Sequence, residues 1–124
     1  MWTEKFNRQY KEKIKKLTIN FADIKKGETM LVSSPVSIAK YIKKIPKGKK
    51  KTVNEMREAL AKKAKANKTC PVSTGIFLRM VIEDNIENFP YWRIIDQNHS
   101  LVTKLDLNKE FIINQRSLES IESD

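Results

Sequence analysis

The stretch Ile45-Pro46-Lys47-Gly48-Lys49-Lys50-Lys51-Thr52-Val53-Asn54-Glu55 organises the chain around it. Proline steers the residue before it away from helical angles, so a helix arriving from the N-terminal side must end by Ile45. Gly48 marks a turn, and Thr52 followed three residues later by Glu55 has the spacing of a capping box, which opens a new helix. The stretch therefore reads as a basic turn between two helices. Upstream, Ser33-Ser34-Pro35 has the composition of a helix start, because proline fits the first helical turn. The predicted helix over 35–44 carries Ile38, Ala39 and Ile42 inward. Downstream, Met56, Ala59, Leu60 and Ala64 line the buried side of the second helix, and Arg57, Lys62, Lys63 and Lys65 stay wet.

Beyond the polar residues 65–68, Val72, Ile76, Phe77, Met80 and Val81 recur at offsets that predict a third helix, over about 71–87. After Pro90 the aromatic and β-branched run Tyr91-Trp92-Arg93-Ile94-Ile95 predicts a strand, with a turn over 96–100 and residues 101–105 pairing back as a hairpin. A closing helix over 108–121 would carry Phe111, Ile112, Leu118 and Ile121. At the other end, Phe6, Tyr10, Ile14 and Leu17 suggest an amphipathic helix over 4–17. The expected division is an N-terminal helical appendage, 1–29, and a main domain, 30–124. The expected fold class is mainly α with a small β-hairpin. Its order of helix, basic turn, helix, helix and hairpin is that of a winged helix-turn-helix.

The 124 residues suit one domain, with 40% apolar and 32% charged residues and no apolar run long enough for a membrane span. The N-terminus meets charged residues without the apolar region that a secretory signal needs, so a cytoplasmic location is expected. A single cysteine, Cys70, excludes an intramolecular disulfide framework. One cysteine with one histidine, His99, is too few for a nitrogen and sulfur metal cage, so no metal and no cofactor are expected. Charge is lopsided. Residues 40–68 carry twelve cations against two carboxylates, equal to the whole chain's excess of +10, whereas 81–124 carry four cations against nine carboxylates. A localised positive field attracts polyanions, DNA foremost; the bland alternative is a solvated lysine-rich face.

A resemblance sharpens this reading. Ile45-Pro46-x-Gly48-Lys49-x-x-Thr52, Gly75 in the following helix, and Pro90-x-x-Arg93-Ile94-Ile95 followed by Ser100-Leu101 resemble the C-terminal DNA-binding domain of the alkylguanine-DNA alkyltransferase (methylated-DNA-protein cysteine methyltransferase) family. Thr69-Cys70-Pro71 through Phe77 and Pro90-Tyr91-Trp92-Arg93 are similar to an uncharacterised bacterial group related to that family. The likeness spans roughly residues 30–120. Family members carry Pro-Cys-His-Arg, whose cysteine accepts the alkyl group, and here those positions hold Tyr91 and Trp92. A phenol of ordinary pKa near ~10 and an indole without a basic nitrogen cannot replace a thiolate pair. The family's nucleotide-rotating tyrosine and stack-filling arginine correspond to Val53 and Val72. The resemblance thus implies DNA binding without transferase chemistry.

The expected DNA contacts are Lys47, Lys49, Lys50 and Lys51 on phosphates, Ser73, Thr74 and Arg79 near the groove, and Arg93 at its edge. Duplex DNA is the expected partner, with a repair protein as a further one, and no membrane. A protein-interaction module that kept the fold but lost DNA binding is the rival. Cys70 at a helix start reads as a small buried apolar group, and His99 as a turn residue. Of Tyr91 and Trp92, at least one is expected to fill the core.

Overall fold

The computed structural model describes residues 10–85 and 89–121. They form a mixed α/β fold. Strands β1 (Lys13–Lys16), β2 (Thr29–Val32) and β3 (Lys68–Thr69) make one sheet in the order β1-β2-β3. β1 runs antiparallel to β2, with Lys13 opposite Val32, and β3 runs parallel to it, with Leu31 opposite Thr69. A parallel neighbour demands a crossover. That crossover consists of α1 (Pro35–Lys43), the basic turn and α2 (Val53–Ala64). α3 (Pro71–Asn85), a 3-10 turn at Tyr91–Arg93, α4 (Ser100–Lys104) and α5 (Lys109–Leu118) complete the order.

The helix starts follow local chemistry. Ser34 caps α1 by accepting the Ser37 amide, and Pro35 occupies the first turn. Thr52 and Glu55 form the complete capping box of α2, each at 3.0 Å. Asn108 accepts the Phe111 amide and opens α5. The main core lies where α1, α2 and α3 meet the 3-10 turn and α5, around Ile38, Ile42, Met56, Leu78, Ile82, Tyr91 and Ile112.

Four expectations are corrected. Residues 13–16 are strand, not helix, because pairing with β2 overrides a weak local helical period; residues 4–9 of that expected helix lie outside the described residues. The hairpin over 91–105 does not form. Tyr91, Ile94 and Ile95 are all buried, and a single strand cannot send the adjacent Ile94 and Ile95 to one side, whereas a helical turn brings i, i+3 and i+4 together. The antiparallel pair lies near the other end of the chain, at β1 and β2. In α3 the buried face is Thr74, Phe77, Leu78, Val81 and Ile82, leaving Val72 and Ile76 exposed at 56% and 54%. Seven apolar residues crowd this helix, more than one face holds, and packing against α1 selects which are covered. In α2, Ala61 is buried in place of the expected Ala59.

Candidate nucleic-acid interface

The basic turn is held from beneath. Lys49 donates its amide to the Pro46 carbonyl at 3.0 Å, closing a tight turn with Gly48 at φ +86. A side chain is strained at that angle, and a Cβ would stand 3.2 Å from the Glu119 carbonyl oxygen, so both the backbone and the tight approach favour glycine. The Gly48 amide donates to Glu119 Oε1 at 3.0 Å. Arg93 grips the same carboxylate with two hydrogen bonds, Nε to Oε1 and Nη2 to Oε2, both 2.9 Å. Trp92 Nε1 adds another to Oε2 at 2.8 Å. The third arm of the guanidinium, Nη1, donates to the Ile45 carbonyl at 3.1 Å, and the Lys51 amide donates to the Arg93 carbonyl at 2.9 Å.

Both ends of the turn are therefore tied to one buried ion pair, whose side chains are 15% and 4% exposed. Four donors converge on the Glu119 carboxylate. Burial alone would raise its pKa, but the bonds from Arg93, Gly48 and Trp92 outweigh that and hold it at about 2. Arg116 anchors the floor below, its Nη1 donating to the carbonyls of Trp92 and Ile95 at 2.7 and 3.2 Å. On this platform Lys47, Lys49 and Lys51 are exposed and Lys50 is half-buried.

The expected contacts are only partly gathered here. Arg93 is bound internally to Glu119 and positions the turn instead of facing outward. Thr74 is fully buried, its hydroxyl donating to the Cys70 carbonyl at 2.6 Å, and Ser73 is half-buried. Arg79 is exposed and pairs with Glu83 at 3.0 Å. A cavity of about 260 Å³ runs from Lys50 and Lys51 past Val53 to Asp96 and His99. A second, of about 340 Å³, begins at the same Val53 and His99 and follows α3 along Val72, Gly75, Ile76 and Arg79 to Lys104. The two share Val53 and His99 in their walls, so the basic turn and the exposed face of α3 flank the same pair of residues. Val72, Ile76 and Lys104 were not among the expected contacts. The signal for Val72 and Ile76 in the sequence was the surplus of apolar residues in α3; Lys104, on α4, carried none.

Tyr91 and Trp92 sit in an aromatic cluster. Tyr91 is 2% exposed, stacks on Phe111 at 6.3 Å and meets Trp92 edge-on at 5.7 Å. Burial raises the phenol's pKa further. Neither ring offers a nucleophile to the surface. Cys70 caps α3, its Sγ accepting from the Ser73 amide at 3.5 Å, and packs with Ile24 and Met30, away from the main core. His99 caps α4, its Nδ1 accepting from the Leu101 amide at 3.1 Å with φ at −66. Burial, the leading cause, lowers its pKa and favours the neutral ring that such acceptance requires.

Among the described residues no group of three or more His, Cys, Asp or Glu is placed to hold a metal, and no helix is long and apolar enough to cross a membrane. Comparisons of the chain with protein-family models, characterised proteins and solved structures give no match.

Proposed function

We propose that this chain is a non-catalytic DNA-binding domain of alkyltransferase-like ancestry that grips the duplex backbone through the Lys47–Lys51 turn. The observation that carries this reading is the rigid mounting of that turn. A flexible loop loses backbone entropy and register on binding, whereas this backbone is already held by Glu119 and Arg93. Phosphate neutralisation by such a cluster releases counterions and supplies sequence-independent affinity. The adjoining face of α3 supports contact with the duplex, because Gly75 has open space where a side chain would stand and permits close approach. The α3 carboxylates Glu83 and Asp84 lie at its far end, and Arg79 offsets Glu83.

The role carries no transferase chemistry, since the positions that resemble the family's reaction centre are occupied by a buried phenol and an indole committed to Glu119. Fluorescence anisotropy with a labelled duplex across a salt series tests the proposal. Binding should weaken linearly on a log-log plot, and each of Lys47→Gln, Lys49→Gln and Lys51→Gln should lower the slope by about 1. Undetectable binding at low salt, or affinity indifferent to salt, would refute it.

A further inference from the structure

A separate groove of about 380 Å³ lies between α1 and α2, on the side of α2 away from Asn54 and Glu58. We propose that it receives an acidic amphipathic helix from a partner protein. Lys40 on α1 and Lys44, its C-cap, stand about one turn apart, and Lys63 faces them from α2. All three are exposed, and none is ion-paired among the described residues. Between them the floor is apolar, built from Leu60, Ala64 and the half-buried ring of Tyr41.

The floor chooses the class of occupant. A phosphate backbone would pair with the lysines but has nothing apolar to lay on Leu60 and Tyr41. A helix with carboxylates flanking an apolar stripe satisfies both, and the small Ala59 and Ala64 let its backbone come close. The stretch of α1 from Ser37 to Lys44 rises by about 10 Å, room for two turns of a bound helix. Glu12 closes one end, already engaged by the Ser37 hydroxyl, so it repels carboxylates there and confines them to the lysine end.

The groove lies beside the second half of α2 and shares no lining residue with the Lys47–Lys51 turn. The probe is a fluorescein-labelled peptide of about 14 residues, with leucines at i, i+3, i+4 and i+7 and flanking glutamates. Titration into the ¹⁵N-labelled full chain should shift amides of 37–44 and 59–64. The double variant Lys44→Gln/Lys63→Gln should weaken peptide binding about tenfold, and should leave unchanged the slope of log duplex affinity against log salt, which counts only the lysines that meet phosphates. Ala59→Arg separates the two classes of occupant: it adds positive charge while filling the floor, so a helix binds more weakly and a simple polyanion more tightly. The proposal is overturned if the peptide does not bind, if its shifts fall on 47–51, if Ala59→Arg strengthens it, or if duplex DNA occupies the groove instead.

Discussion

Glu119→Gln removes one charge from the platform beneath the basic turn and preserves the side chain's shape. In the native protein the carboxylate receives Arg93 Nε and Nη2, Trp92 Nε1 and the Gly48 amide, all at 2.8–3.0 Å. The substitution leaves the Arg93 guanidinium, itself only 15% exposed, without its counter-charge. Breaking one side of a buried pair costs about 3–5 kcal/mol. The same contacts hold the carboxyl at about 2, well below an ordinary 4.5, as a native state that favours the charged form requires.

Linkage adds a sign. A depressed folded pKa gives stability that is fully present above pH 4.5 and is lost as pH falls through about 2. Urea unfolding at pH 7 should show a loss of about 3 kcal/mol with unchanged m, equivalent to roughly 10 °C in Tm. Between pH 4.5 and 2 the variant's stability should fall less steeply than the parent's. The Gly48 and Lys51 amides should exchange faster, since the turn loses its anchor. A loss under about 1 kcal/mol, or an identical acid limb, would show that the pair does not hold the turn.

Other expectations follow from the same geometry. Gly48→Ala should destabilise by about 1–3 kcal/mol in urea titrations and weaken duplex binding, from the positive φ and the 3.2 Å approach to the Glu119 carbonyl. Thr52→Ala removes half of the α2 capping box and should cost about 1 kcal/mol. On α3, Leu78→Ala should lose roughly 2–5 kcal/mol and Ile76→Ala under about 0.5, while only the latter alters duplex affinity; thermal melts with anisotropy read both.

The sequence carried the local decisions. Pro35, Ser34, Thr52, Glu55 and Asn108 place helix starts through bonds spanning three residues, and Pro46 with Gly48 places the basic turn. Such signals act on the chain's own neighbours and are legible without a fold. The charge map was equally legible, because it is a count of residues. The site was less so: Lys47, Lys49 and Lys51 reach the surface as expected, while Thr74 goes inward and Arg93 turns to Glu119.

Tertiary structure alone decided the rest, wherever two local readings were nearly balanced or the partner lay far along the chain. β1 became a strand because β2 offered it hydrogen bonds, and Tyr91–Arg93 wound into a 3-10 turn because three buried side chains had to share one side. α3 held more apolar residues than a core can cover, so contact with α1 chose its buried face and left Val72 and Ile76 outside. Glu119 meets Arg93 from 26 residues away and Gly48 from 71. No periodicity or cap spacing encodes such a meeting, because it depends on where several helices place their ends once the core has closed.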